Sequence, residues 1–308
     1  MNGPSILHGA GSQGHDIAGL WWAIFGLGAA VYVVVGTLVV VAVLRGRFRR
    51  GGPEGDGRRE NAVIVGGGIV MPLVILFVVA VLTVQTTVKA DASSRTGVQI
   101  EVVAKRWFWD VHYPSVDVRT ANEIRVPVGR PITFRLDSGD VIHSFWVPDL
   151  AGKVDTIPGQ TNYLHLTVTK PGTYLGECAE YCSIQHANMR FAVIAMAPQA
   201  FDRWLTRQAA VMPTPTNEQQ DAGQRVFTRE ACAGCHTIKG VSRGNVGPDL
   251  TDLGERRWLG ALTVRNTPAN LAAWIRDSQA VKRGNVMPPF DLSKADVDAL
   301  VAYLEGLR

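Results

Sequence analysis

Residues 176–189 read GECAEYCSIQHANM and bring two cysteines, a histidine and a methionine into one short stretch. The spacing is C-x3-C-x3-H-x2-M, running from Cys178 and Cys182 to His186 and Met189. The two cysteines alone leave a disulfide and a metal site equally open. The added imidazole and thioether favour a metal site, because thiolate, imidazole and thioether ligands together select copper.

The residues around this stretch predict an all-β frame. Over 98–200, short segments alternate apolar and polar residues or are β-branched, and Gly and Pro separate them. That pattern is typical of a small antiparallel sandwich or barrel of about 100 residues. The quoted loop would lie at one end of it. A second histidine, His143 in VIHSFWVP, would come from another strand, so two bridging thiolates could hold two metals.

Two long apolar runs precede this domain. Residues 17–44 and 62–88 contain no charged side chain. About 20 apolar residues cross a bilayer as a helix, so both runs are long enough to span a membrane. The alternative is a pair of buried core helices, which rarely have uncharged runs of this length. Pro72 predicts a kink in the second span.

Charge predicts the orientation of the two spans. Residues 45–60 hold six arginines against three acids, whereas the whole chain has a net charge of only +4. The positive-inside rule therefore places the connecting loop, 45–61, in the cytoplasm. A mobile tail over 1–16 and everything after residue 90 would lie on the periplasmic or outer face of a bacterial inner membrane.

The charge of the two exported regions does not favour nucleic-acid binding. Residues 98–200 hold nine basic and ten acidic side chains, and residues 214–308 hold twelve basic and eleven acidic ones. Neither region shows the basic face that binding to nucleic acid requires.

The C-terminal region carries a second cofactor motif. After a Pro/Thr-rich linker, predicted over 201–216, the sequence EACAGCHTIKG contains C-x-x-C-H, the attachment signature of c-type haem. A zinc site would need two further close ligands, and a thioredoxin-like motif would need a βαβ frame. The sixth iron ligand should be Met or His. After residue 236 the sequence offers only Met287, in NVMPPF, for which an exposed loop methionine is the alternative reading.

The motif CAEYCSIQHANM, with His143 upstream and two spans before it, resembles subunit II of the haem–copper oxidases. The resemblance implies a cupredoxin-like CuA domain over 91–200, behind a transmembrane helix hairpin over 17–90. It also implies that the side chain of Glu180 faces a magnesium ion at the contact with subunit I. The implied ligands of the dinuclear copper are His143, Cys178, the backbone carbonyl of Glu180, Cys182, His186 and Met189.

Two further positions are compared with that family. The run RWFWDVHYP resembles its aromatic patch, whose first tryptophan receives the electron; here this is Trp107, and a plain hydrophobic patch is the alternative. Family members often carry a glutamate before the proline of the second span. Here Val65 stands in that neighbourhood and Glu60 lies further out, which puts proton uptake through this subunit in doubt.

Residues 217–308 resemble a class I cytochrome c, with GPDL close to that family's proline segment. The resemblance implies an all-α domain with haem c held by thioethers at Cys232 and Cys235. His236 and Met287 would be the axial ligands of the iron. All four cysteines would then serve cofactors.

Together the two resemblances imply a multidomain membrane protein of the caa3 type, a cytochrome c oxidase subunit II with a fused cytochrome c. Electrons would pass from an external cytochrome c, or a quinol–cytochrome c reductase complex, through haem c and CuA to the haem a of subunit I. Oxygen would be reduced to water there with proton pumping, and subunit III is a further expected partner. Two alternatives stay open: the electron-input subunit of a copper-containing nitric oxide reductase, and a copper carrier. The copper ligands argue against a quinol oxidase.

Overall fold

A computed structural model describes residues 4–48, 57–91 and 97–308. The chain divides into two compact units. One unit is His15–Ala92, and the other combines Met1–Gly14 with Ser93–Arg308. The predicted cytoplasmic loop over 45–61 falls largely outside the described residues.

The helical unit contains the two predicted spans. Mean hydropathy reaches 2.6 within Ser12–Gly46 and 2.8 within Glu60–Lys89, and neither helix is buried within the protein. Apolar helices of this length that are not buried by the rest of the protein fit a bilayer. The alternative, a pair of buried core helices, is therefore not supported. The sequence predicts a kink near Pro72, and the structure has a π-helical turn, Gly66–Val70, just before it. Proline has no backbone N–H to donate to the regular α-helical hydrogen-bond pattern. The helices are α1 (Ser12–Phe48), α2 (Gly57–Val65) and α3 (Met71–Asp91).

The second unit begins with a sandwich of two five-stranded sheets, as predicted. Their strand orders are β3-β2-β1-β5-β8 and β4-β10-β9-β6-β7. Side chains from both sheets fill a common core that includes Trp109, Phe145 and Phe191. The strands are β1 (Val98–Lys105), β2 (Phe108–Tyr113), β3 (Val118–Ala121), β4 (Glu123–Pro127), β5 (Pro131–Ser138), β6 (His143–Trp146), β7 (Val154–Thr156), β8 (Asn162–Thr167), β9 (Gly172–Cys178) and β10 (Arg190–Met196).

The sheets are not wholly antiparallel, in contrast to the sequence-based expectation. Strand β1 pairs with β5 in parallel, and β4 pairs with β10 in parallel. The chain crosses to the second sheet for β4 before it returns as β5, so β5 runs in the same direction as β1. Alternation of apolar and polar residues reports which face is buried but carries no information on strand direction.

The segment before the first span is not a mobile tail over its described residues. Ala10 N donates to Asp149 O at 2.8 Å, and Thr169 N donates to Ala10 O at 2.9 Å. His8 Nδ1 lies 2.8 Å from Asp149 Oδ1. The residues before the first span and the sandwich after the second therefore belong to one unit.

The stretch expected as a linker, 201–216, begins with ordered helix. Helix α4 (Pro198–Ala210) places Phe201 and Trp204 in the sandwich core. Its apolar side chains recur at helical spacing, and this packing outweighs the Pro and Thr residues that follow. The irregular connection is accordingly shorter than predicted and starts after Ala210.

The C-terminal region has its own helical core, as predicted. Its first and last helices meet at Gly223, where a Cβ atom would collide with the backbone of Ala299. Only glycine allows this approach, which lets Phe227 and Tyr303 pack in the core. The helices are α5 (Glu218–Arg229), α6 (Cys232–Cys235), α7 (Pro268–Arg276), α8 (Ser278–Val281) and α9 (Lys294–Glu305).

Candidate metal and haem sites

Two thiols and two imidazoles converge at one end of the sandwich. His143 begins β6, Cys178 ends β9, and Cys182 and His186 lie in the loop that follows. Each sulfur has one imidazole neighbour: Cys178 Sγ lies 3.8 Å from His143 Nδ1, and Cys182 Sγ lies 3.8 Å from His186 Nδ1. The two sulfurs are 3.8 Å apart, whereas a disulfide requires about 2.05 Å. Disulfide pairing is therefore not the arrangement here.

The other two predicted donors lie beside these sulfurs. Glu180 O is 3.2 Å from Cys178 Sγ, and Met189 Sδ is 3.8 Å from Cys182 Sγ. Both thiols and Met189 are buried. The structure thus brings together all six donors that the sequence suggested. Their chemistry, two thiolates with imidazole and thioether, fits copper.

Hydrogen bonding within the cluster shifts the pKa values of the two thiols in opposite directions. The pKa of Cys178 is lowered to about 3, foremost because the Cys182 thiol can donate to its sulfur. The same contact, with burial, raises the pKa of Cys182. One thiolate is therefore stable in this pocket, and a second requires a cation. A site with these properties binds metal with release of a proton.

Asp140 orients one of the imidazoles and was not identified from the sequence. Its Oδ1 lies 2.8 Å from His143 Nε2, so Nδ1 of the ring faces Cys178. Burial opposes the charge of His143, but its bonds to Cys178 and Asp140 outweigh burial and raise its pKa. Carboxylates in this position fix the tautomer and orientation of metal-binding histidines. In the sequence, this contact could have been suggested by the D-x-x-H spacing of Asp140 and His143.

The side chain of Glu180 faces a cation of its own chain. Its Oε2 lies 3.6 Å from Lys153 Nζ, at a position that is partly exposed. The predicted magnesium would have to compete with this ion pair, and it stays a prediction.

A mostly apolar cavity in the helical domain contains the second cofactor motif. Cys232, Cys235 and His236 line it on one side, and Met287 also lines it. Leu259, Trp274 and Ile275 are among the apolar residues that line the same cavity. A covalently attached haem requires this combination of two thiols, two axial donors and apolar walls.

The two predicted axial ligands are held by their backbone surroundings. His236 Nδ1 donates to Pro248 O at 2.8 Å, which leaves Nε2 as the nitrogen available to a metal. Burial lowers the pKa of His236, so the imidazole is neutral. Met287 N donates to Asn285 Oδ1 at 2.8 Å, and Met287 O accepts from Ser278 Oγ at 3.1 Å. The loop that carries the thioether is thus fixed by polar contacts.

Trp107 belongs to both sites. It lies in the turn between β1 and β2, and its side chain lines the cavity that contains His236 and Met287. Its Nε1 donates to Cys182 O at 2.8 Å. Trp107 thus borders one predicted cofactor pocket and bonds to the backbone of the other, and its role in electron entry stays a prediction.

Comparison with known proteins identifies two families along this chain. Residues 116–196 match the family described as "Cytochrome C oxidase subunit II, periplasmic domain", and residues 220–308 match the family "Cytochrome c". Cytochrome c oxidase subunit 2 of Alkalihalophilus pseudofirmus is 35% identical over 288 residues, which cover 91% of this chain and 84% of that protein. The chain belongs to the cytochrome c oxidase subunit 2 family.

Other members of the family are also similar to this subunit. Cytochrome c oxidase subunit 2 of Bacillus sp. (strain PS3) is 32% identical, and the match covers 78% of this chain and 72% of that protein. Among solved structures, the periplasmic domain of subunit II (CoxB) of Bradyrhizobium japonicum is 27% identical. It covers 38% of this chain and 96% of that chain, with a TM-score of 0.37. The two family matches, the Alkalihalophilus pseudofirmus relative and the two apolar spans identify this chain as a membrane-bound subunit II of a haem–copper oxidase with a cytochrome c domain, which implies subunit I as its partner.

Proposed function

We propose that this subunit takes electrons from a donor at its cytochrome c domain and passes them through its copper domain to the haem a of subunit I. Oxygen would be reduced to water there, with proton pumping. The donor would be an external cytochrome c or a quinol–cytochrome c reductase complex, and subunit III would complete the assembly. The sandwich and the cytochrome c domain would face the periplasm, with the predicted magnesium beside Glu180.

The position of Trp107 is the observation that supports this route most directly. Its ring borders the haem cavity, and its Nε1 is bonded to the carbonyl of Cys182. The indole therefore gives a short connection from one pocket to the other, through one side chain and one hydrogen bond. A carrier that only stores or delivers copper has no use for such a connection.

The donor sets support electron transfer rather than substrate chemistry. His143, His186, the two thiols, Met189 and the carbonyl of Glu180 would hold the copper pair. Cys232, Cys235, His236 and Met287 would hold the haem. When bound, each group would take up and release one electron. The chain's own residues fill the ligand positions, which leaves little room for a substrate at either metal.

The test uses the complex purified through this chain from native membranes. We would supply a reduced donor and record oxygen and nitric oxide consumption separately. We expect rapid oxygen consumption that Cys182→Ser abolishes, with haem content unchanged and copper content reduced. Ser183→Ala, next to the ligand, is the matched control and should retain activity. Nitric oxide consumption with little oxygen consumption would instead place the chain in a nitric oxide reductase.

A further inference from the structure

A lysine is buried where the cytochrome c domain meets the copper domain. Lys282 follows helix α8 and is only 4% exposed. Its Nζ donates to Gly260 O of its own domain at 2.8 Å. It also donates across the contact to Asn188 O at 2.9 Å and to Trp107 O at 3.2 Å. Lysine is rarely buried unless its charge is satisfied, and here three backbone carbonyls do so.

The two acceptors across the contact are next to the copper site. Asn188 directly precedes Met189, one of the six converging donors, and Trp107 is bonded to Cys182. Burial lowers the pKa of Lys282 to about 7, because its ammonium has lost water. The Lys282 amino group thus joins two backbone segments of the copper domain, at Trp107 and Asn188, to the cytochrome c domain.

The residues after Lys282 extend the same contact. The side chain of Gln185 donates to Arg283 O. Gly284 has φ +81°, and a Cβ atom there would collide with the side chain of Ile184. Residues 282–284, which we call the junction loop, therefore pack directly against the copper-ligand loop over 184–188.

The junction loop is also tied to the predicted haem ligand. Asn285 Nδ2 donates to Lys282 O at 2.7 Å and to Ser278 O at 2.9 Å. Its Oδ1 accepts from Met287 N at 2.8 Å. A displacement of Lys282 would thus be transmitted to Met287 through the hydrogen bonds of Asn285.

A second set of contacts joins the two domains through other elements. Thr120 Oγ1 donates to Asp252 Oδ2 at 2.7 Å, and Arg207 Nη2 lies 2.9 Å from Glu255 Oε1. Glu123 Oε1 accepts from the backbone N–H of Arg257 at 2.6 Å. These bonds would keep the domains together when the junction loop is released. Loss of Lys282 should therefore loosen one end of the contact without separating the domains.

We propose that Lys282 is a positioning residue that holds the cytochrome c domain against the copper-ligand loop. Its part in electron passage rests on the function proposed above, whereas its part in docking does not. With this docking, the cytochrome c domain holds a fixed position beside the copper domain instead of moving freely on its linker. The distance between the two cofactor pockets is then set by the protein rather than by the reach of a linker.

The test compares Lys282→Met with the unchanged chain in the purified complex. Methionine is similar in length but cannot donate to the three carbonyls. We expect faster amide hydrogen exchange in 184–190 and 282–287, with no change in α5 and α9. We also expect a several-fold slower passage of one electron from reduced haem to oxidised copper after rapid photoreduction, at unchanged copper and haem contents. Lys282→Arg, which keeps a charged donor, should recover part of the loss.

Two further variants make the result decisive. Lys294→Met removes an exposed lysine of α9 from the same domain and should change neither measurement. Gly284→Ala keeps Lys282 but places a Cβ atom at φ +81°, a strained conformation for alanine, so it should loosen the junction loop and reproduce the local increase in exchange. Unchanged exchange at both loops in Lys282→Met would overturn the proposal. Faster exchange throughout α5 and α9 would assign Lys282 to domain stability and overturn it equally. Failure of the proposed function would appear separately, as missing cofactors or missing oxygen consumption in the unchanged complex.

Discussion

The indole of Trp107 donates a 2.8 Å hydrogen bond to the backbone carbonyl of Cys182, a residue whose sulfur is one of the six converging donors. The same indole lines the cavity that contains His236 and Met287. A single side chain is therefore in contact with both cofactor pockets, and its hydrogen bond can be removed while its ring is retained.

Trp107→Phe keeps an aromatic ring at the cavity but deletes the donor to Cys182 O. We expect oxygen consumption to fall several-fold, with copper and haem contents unchanged. The lost hydrogen bond should lower stability by about 1 kcal/mol. Trp204→Phe is the control, because Trp204 Nε1 has no hydrogen-bond partner among the described residues. Equal turnover in the two variants would remove Trp107 from the route.

Asp140→Asn tests the orientation of His143. The amide keeps the shape of the carboxylate but loses its charge and can present its NH2 group to the ring. We expect copper affinity to fall by about 10–100-fold, as for other groups that orient metal-binding histidines. The measurement is copper retained per chain against a competing chelator. Asp155→Asn, a partly exposed acid paired with Lys153, should retain copper normally. Equal retention in the Asp140 variant would contradict the assignment.

Met287→Leu tests the sixth ligand of the haem iron. Leucine fills similar space but cannot bind iron, while Cys232 and Cys235 still hold the haem covalently. We expect haem content to stay constant, the spectrum to lose the signature of methionine ligation, and added cyanide to bind readily. Met212→Leu provides a matched control, because Met212 is 59% exposed and does not line the haem cavity. An unaltered spectrum in the Met287 variant would require another ligand.

Glu123 should make the contact between the domains pH-dependent. Its Oε1 accepts from the backbone N–H groups of Arg257 and Trp258, whereas Oε2 has no partner within the described residues. Burial raises its pKa above the ordinary value of 4.5. A raised carboxyl pKa means that its stabilising contribution is complete below 4.5 and is lost as the pH rises through the folded-state pKa.

Glu123→Gln should therefore flatten the dependence of the unfolding midpoint on pH above 4.5. The measurement is thermal unfolding of the purified complex, followed by near-ultraviolet circular dichroism. Glu218→Gln, at an exposed position in the first turn of α5, should leave the slope as it is. A slope that is the same in both variants would show that Glu123 does not titrate in this range.

The copper donors could be predicted because most of them are close in sequence. Spacing within one loop limits which side chains can meet, and only His143 had to be recruited from another strand. The haem residues could be proposed for a related reason. C-x-x-C-H specifies the two attachment cysteines and one axial ligand, His236, and Met287 is the one Met or His that follows it in the sequence. Both predictions relied on cysteine, histidine and methionine residues at fixed spacings. Ordinary core and surface positions rarely require that combination.

Contacts that depend on how the domains meet could not be predicted. Lys282 stands in AVKRGN, which reads as an ordinary exposed segment, because its carbonyl acceptors lie in distant parts of the chain. Helix α4 was missed for a similar reason. Its two aromatic side chains find their partners in the sandwich core, so local composition did not reveal its packing. Strand direction in β5 and β10 likewise depends on the path of the whole chain.

The close meeting of Gly223 and Ala299 has a consequence for biosynthesis. Gly223 of α5 and Ala299 of α9 are 76 positions apart in the sequence. Because each helix completes the core of the other, this core cannot form before both helices have been synthesised. The CAGCH segment over 232–236 lies between the two helices in sequence, so it is synthesised before the core around its cavity can form.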